Sequence, residues 1–336
     1  MTQLLGLVLL SFTITSFFMV PFIDFLFYLK RRFEVNKFDS GDHKQTPIHD
    51  QLMKGDEAIP SGGGILLVAL LTILSIIYSF FTPFKDLAGL KILLFALVSF
   101  GLLGLIDDIK AITTKRQGKF LGLGRKTLFI IQAFLALIIA WFLYSFIGLN
   151  NIYVSGIGNF IIGWWYIPLA AFVIISFANA FNISDGLDGL SCGLLTICLF
   201  AFLALASATL DLNLASFIGI WIGSLFAYLY FNIWPARIFL GDAGAFGFGA
   251  TLAVVGLLTG KILALGIIGG MFVLIVGSSL LQILSKKIFH KKILPVAPIH
   301  MYFKYIGWEE PKIVMRFWLA QALFAIFGLW MALLAK

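Results

Sequence analysis

Residues 179–190 read NAFNISDGLDGL. At helical spacing Asn179, Asn182 and Asp185 step along one face, and Asp185 and Asp188 are neighbours at i,i+3. Gly186 and Gly189 each follow an aspartate, so a ligand can approach the backbone closely there. Apolar tracts lie on both sides, at 164–181 and 189–209. The run therefore reads as the polar junction between two membrane-crossing helices. Charged groups beside such spans are costly and point to function. Two further acidic sites have the same setting, Asp107-Asp108 and Asp242.

Composition supports that reading along the whole chain. Of 336 residues, 61% are hydrophobic and 12% charged, with a mean hydropathy of +1.03. Soluble domains average about 25% charged residues, which argues against a soluble globular protein. Segments long enough to cross about 30 Å of hydrocarbon fall at 3–29, 62–82, 90–106, 127–148, 164–181, 189–209, 214–231, 244–260, 262–285 and 313–335. The expectation is an all-α, polytopic membrane protein of about ten transmembrane helices, with 1–336 as one membrane domain. The first segment carries Asp24, follows no basic leader and precedes no small-x-small site, so it reads as a retained span. Cys192 and Cys198 share one apolar segment without metal-ligand spacing and read as buried small hydrophobes.

The net charge of +8 could suggest nucleic acid, but its distribution points to lipid headgroups and phosphate substrates instead. With Met1 outside, twenty of the 24 Lys and Arg residues fall in inside loops. Only Lys85, Lys91, Lys261 and Lys336 remain outside. The bias toward basic inside loops predicts that both termini face out. Asp107, Asp108, Asp185, Asp188 and Asp242 then share the cytoplasmic side with His300. Transporters more often place ionisable groups near the midplane. The expected site suits an enzyme with one soluble substrate and one lipid headgroup.

Each polar site permits specific chemistry. Asp107-Asp108 closes the run GLLGLIDDIK, with Lys110, Lys115, Arg116 and Lys119 beyond it. Adjacent helical side chains point about 100° apart, so the two carboxylates can do different jobs. Acidic groups ringed by cations suit Mg²⁺ bridging phosphate oxygens; surface salt bridges are the plainer alternative. FLGDAGAFGF, residues 239–248, sets Asp242 between glycines before a short helix. It reads either as an N-cap or as a metal carboxylate beside amides that can meet phosphate. The glycines favour the second. IPSGGG, residues 59–64, offers close backbone packing or anion contact at a helix start. His300 follows Pro295 and Pro298 and sits on a fixed turn or helix start. Lys286, Lys287, Lys291 and Lys292 fit anchorage to anionic lipid. Neither a P-loop, nor GxGxxG, nor HExxH spacing occurs.

The glycine run, the DD pair, NAFNISDGLDGL, NIWPARIFLGDAGAF, APIH and GWEEPKIVMRFW resemble, in order, the polyprenyl-phosphate N-acetylhexosamine-1-phosphate transferase superfamily. The resemblance covers most of the chain and is strongest to the peptidoglycan branch, the phospho-N-acetylmuramoyl-pentapeptide transferases. It implies a cytoplasmic active-site cleft in the bacterial inner membrane and a homodimer. It also implies transfer of phospho-MurNAc-pentapeptide from UDP-MurNAc-pentapeptide to undecaprenyl phosphate, giving lipid I and UMP with Mg²⁺ as cofactor. Asp107 and Asp108 would be the catalytic pair, with Asp242 and Asp108 on the metal and His300 also in the catalytic set. Asn179, Asn182, Asp185, Asp188, Phe239 and Gly241 would line the substrate site, and Lys54, Lys115, Asn232 and Gln282 would contact substrate. Two departures stand out. Three consecutive histidines are usual where this chain has His300-Met301-Tyr302, and Lys110 comes one residue early after the DD pair.

A sister enzyme moving GlcNAc-1-phosphate for teichoic acid or surface polysaccharide is the nearest alternative, and a transporter the remote one. The tail GWEEPKIVMRFW favours the peptidoglycan branch; the missing histidines favour the sister. A phosphate monoester has its second pKa near 6, so the lipid phosphate is already largely nucleophilic at neutral pH. The larger task is holding two anions together, which metal and lysines do electrostatically.

Overall fold

The computed structural model describes residues 2–33, 59–83, 86–114, 123–155 and 157–334. In chain order come α1 (Thr2–Phe33), α2 (Gly63–Phe81), α3 (Ala88–Thr114) and α4 (Arg125–Phe146). A hairpin of β1 (Asn151–Val154) and β2 (Gly158–Ile161) leads to α5 (Tyr166–Ser184), α6 (Leu190–Ala208) and α7 (Leu212–Asn232). Then follow α8 (Asp242–Leu258), α9 (Ile262–Ile268), α10 (Gly270–Ile288), α11 (Ile299–Tyr305) and α12 (Glu310–Leu333). Among the described residues, nine helices are long and apolar enough to cross a membrane, so the protein is a multi-pass membrane protein.

The count differs from ten because of α8 alone. Helix α8 has 17 residues, about 25 Å at 1.5 Å per residue, shorter than the hydrocarbon layer. Every residue from Ala243 to Leu257 is buried by protein, so α8 need not match the lipid. Its glycines let neighbouring helices close on it, as small residues do in membrane bundles. A Cβ on Gly64 of α2 would lie 2.4 Å from Gly244 Cα, and one on Gly249 would lie 2.5 Å from Phe177 O of α5.

The expected single helix over 262–285 is instead two, broken at Gly269 between α9 and α10. A break inside a membrane exposes backbone groups that must find partners. Gln321, fully buried on α12, supplies them: its Nε2 donates to Ile268 O and its Oε1 accepts from Met271 N at 3.2 Å. A hydropathy profile does not register this break, because apolar residues flank it on both sides. Cys198 lies in the same contact, its Sγ 3.3 Å from Ile268 O, and both cysteines are fully buried as expected.

The fold also departs from all-α through the antiparallel hairpin, which pairs Asn151 with Ile161 and Val154 with Gly158. Gly158 adopts φ +124°, which only glycine takes without strain. Ser155 Oγ ties the hairpin to Met331 O of α12 at 2.7 Å, and Lys261 Nζ lies 3.6 Å from the centre of the Tyr153 ring. Burial pulls the Lys261 amine below its ordinary pKa.

Candidate active site

Hydrogen bonds tie the ends of several helices together on the side away from the hairpin. Lys30 Nζ of α1 donates to Ile59 O at 2.8 Å, fixing the segment that precedes α2. That segment then pairs with the one preceding α8. Phe239 N donates to Pro60 O, Gly62 N and Gly63 N to Phe239 O, and Gly64 N to Leu240 O, all at 2.8–3.0 Å. The glycine run thus packs backbone on backbone, with Gly62 at φ +124° and Gly241 at φ +79°.

This pairing delivers Asp242 to the first turn of α8. Gly241 is the N-cap and makes no side-chain cap bond. The acceptor at this helix start comes from another helix, since Asp108 Oδ2 of α3 accepts from Ala243 N at 3.3 Å. Asp242 is left to a different contact: its Oδ1 accepts from Asn182 Nδ2 of α5 at 3.1 Å. The cap reading of Asp242 is therefore corrected, because glycine and Asp108 occupy that role. Close approach of α3 requires Gly104, where a Cβ would sit 2.1 Å from Asp242 O. At Gly241 a Cβ would lie 3.0 Å from Ser61 Oγ and 3.1 Å from Asp108 Oδ2. Ser61, Asp108, Asp242 and Asn182 thus converge from four segments, facing the partial positive charge of the α8 N-terminus. Asp107, the preceding residue of α3, accepts through Oδ1 from Leu123 N ahead of α4.

The turn between α5 and α6 forms the second half of the site. Ser191 Oγ donates to Asp185 Oδ1. Asp188 is buried; its Oδ2 accepts from Ala236 N at 2.8 Å, and its own N–H donates to Glu310 Oε1 at 2.7 Å. Gly189, at φ +73°, donates its N–H to Asn232 Oδ1 at 3.2 Å, and Asn232 Nδ2 donates to Ile238 O at 3.0 Å. His300 lies in the first turn of α11, after Pro298, and is buried against this turn, where a Cβ on Gly186 would lie 2.9 Å from its Nε2.

Sequence-predicted residues therefore fall into groups. Asp108, Asp242, Asn182 and Gly241 meet directly, with Phe239 in the backbone pairing beside them. Asp107, Asp185 and His300 lie on the adjoining segments. Asp188 and Asn232 hold the loops through backbone bonds. Gln282 does likewise: its Oε1 accepts from Ile293 N and Leu294 N at 3.0 Å, and its Nε2 donates to Leu294 O at 2.7 Å. Asn179 faces α4, donating to Gln132 Oε1 and Ile175 O at 2.8 Å. Lys54 and Lys115 lie outside the described residues. Sequence reading passed over Ser61, Gln132 and Glu310. The glycine run next to Ser61 was visible, but its partner was not.

The donor set fits Mg²⁺ in chemistry. Among the described residues no three His, Cys, Asp or Glu side chains group tightly enough to enclose an ion. Mg²⁺ asks for less, one or two carboxylates with water and phosphate oxygens completing the shell. Asp108 and Asp242 at one helix start meet that requirement.

Residues 90–260 match the family model described as glycosyl transferase family 4. A phospho-N-acetylmuramoyl-pentapeptide-transferase of Geobacillus thermodenitrificans is 34% identical over 323 residues, covering 95% of each chain. The protein of that name from Caldanaerobacter subterraneus subsp. tengcongensis is 35% identical over 268 residues, covering 80% of this chain and 82% of its own. That of Bacillus subtilis is 31% identical over 296 residues, covering 88% and 89%. The chain belongs to glycosyl transferase family 4 and, within it, to the phospho-N-acetylmuramoyl-pentapeptide-transferase family of enzymes.

Proposed function

We propose that this protein transfers phospho-MurNAc-pentapeptide from its UDP carrier to undecaprenyl phosphate, forming lipid I and UMP in peptidoglycan synthesis. The observation that carries the reading is the meeting of Asp108, Asp242 and Asn182 at the start of α8, in a chain of this family. Asp108 and Asp242 would hold Mg²⁺, which when bound supplies positive charge against the phosphate oxygens of donor and acceptor. The protein's own contribution is geometric. Asn182 orients the Asp242 carboxylate, and the Ala243 amide orients that of Asp108. Gly104 and Gly241 keep side chains out of the cradle between them. Asp107, on the adjacent helical position about 100° from Asp108, accepts from Leu123 N of the neighbouring 123–125 segment. Little proton transfer is needed, because the acceptor phosphate is largely dianionic at neutral pH.

The basic loops support a cytoplasmic location for this end of the bundle, in the inner membrane of a bacterium. The homodimer implied by the family resemblance belongs to the same proposal. The test is UMP release by purified protein in detergent with undecaprenyl phosphate and Mg²⁺, with UDP-MurNAc-pentapeptide and UDP-GlcNAc offered separately. Release with the muropeptide alone is expected. Release with UDP-GlcNAc alone would move the chain to the sister activity and make Met301-Tyr302 a specificity mark. Release with neither would overturn the reading.

A further inference from the structure

Glu310 opens α12, 122 residues from the turn it touches. Its carboxylate makes two bonds. Oε1 accepts from Asp188 N at 2.7 Å, and Oε2 accepts from Lys304 Nζ at 2.8 Å. Both side chains of the ion pair are largely shielded, with 11% of Glu310 and 18% of Lys304 exposed. A charge-assisted bond in such a setting is roughly twice as strong as a neutral one. Lys304 lies one helical turn after His300 on α11, so the two share a face. His300 in turn packs on Gly186, two residues before Asp188. The contacts close a ring: Gly186, Asp188, Glu310, Lys304, His300 and back to Gly186. Glu309, the preceding residue, is exposed and lies outside this ring.

We propose that Glu310 is a positioning residue that clamps the Asp185–Asp188 turn against the helix carrying His300. This rests on the transferase reading above for its catalytic consequence, though not for its geometry. Removing either bond lets the turn and α11 move apart while each keeps its own backbone bonds. Groups that orient a site from behind typically change activity about 10–100-fold when removed.

The test uses the full chain in detergent and two readouts. In UMP release with UDP-MurNAc-pentapeptide and undecaprenyl phosphate, Glu310→Gln is expected to lower kcat about tenfold with KM little changed. Lys304→Gln, which removes the same ion pair from its other side, should fall in step, and Glu309→Gln should match wild type. In a His300→Ala background Glu310→Gln should add little further loss, because coupled residues are not additive. By hydrogen-exchange mass spectrometry, Glu310→Gln should speed exchange at 185–189 and 299–305, whereas Glu309→Gln should not. Fully multiplicative losses with His300→Ala, or unchanged exchange in those segments, would overturn the proposal. A wild-type protein that releases no UMP, with exchange still rising in Glu310→Gln, would sink the transferase reading and leave the clamp standing.

Discussion

Asp211 and Asp242 both stand where a helix begins, at opposite ends of the bundle. Asp211 is the N-cap of α7, and its Oδ1 accepts from Leu214 N at 3.0 Å. That bond satisfies one of the amides that every helix start leaves open. Asp242 gives α8 no such service. Gly241 takes the cap position, Asp108 reaches across from α3, and the Asp242 carboxylate turns to Asn182. One aspartate stabilises a helix locally; the other is held by Asn182 of α5, beside a helix start whose Ala243 amide is bound by a second carboxylate, Asp108. Concentrating two carboxylates there costs electrostatic energy that a local cap would avoid, and a bound cation would offset it. The polar end thus gathers carboxylates from separate segments, whereas at the opposite end Asp211 satisfies its own helix.

This contrast orders the expected effects of substitution. Asp242→Asn and Asp108→Asn keep shape and hydrogen bonding but lose charge, and each should lower UMP release by about 10²–10³-fold. Equal or greater loss in His300→Ala than in Asp242→Ala would reverse the ranking. Gly104→Ala forces a methyl to within 2.1 Å of Asp242 O. It should shift α3 from α8, costing about 10²-fold in turnover and about 1–3 kcal/mol in stability, read by activity and detergent melting together. His300→Ala should cost about tenfold in kcat, because the reaction asks little of a general base. Asp211→Ala should leave turnover unchanged and lower stability by about 1 kcal/mol in thermal unfolding. A clear loss of activity there would erase the distinction between the two ends.

Much of this was legible in the sequence, and the rest was hidden for physical reasons. Apolar length reveals spans, because the bilayer imposes it on any helix that meets lipid. Helix α8 escapes that rule by being enclosed in protein, and the break at Gly269 escapes it because Gln321 repairs the backbone from a remote helix. The hairpin of β1 and β2 has only four residues in each strand and sits between two strong apolar tracts, too short to stand out beside them. The aspartates and Asn182 stood out because polar groups are scarce among spans. Their partners did not. Ser61 lies in a loop and Glu310 at a helix start, places where polar residues are ordinary, and only folding sets them beside Gly241 and Asp188. Asn232 and Gln282 show the converse, polar helix side chains whose bonds go to backbone carbonyls and amides of the protein itself.

The central claim is that the two carboxylates at the start of α8 hold a magnesium ion during phosphoryl transfer. Its most direct test is UMP release against Mg²⁺ concentration after treatment with EDTA, for wild type, Asp242→Glu and Asp211→Glu. The account expects no turnover in EDTA and recovery on adding Mg²⁺. It also expects a higher half-saturating Mg²⁺ concentration for Asp242→Glu alone. Full turnover in EDTA, or three superimposable curves, would contradict it.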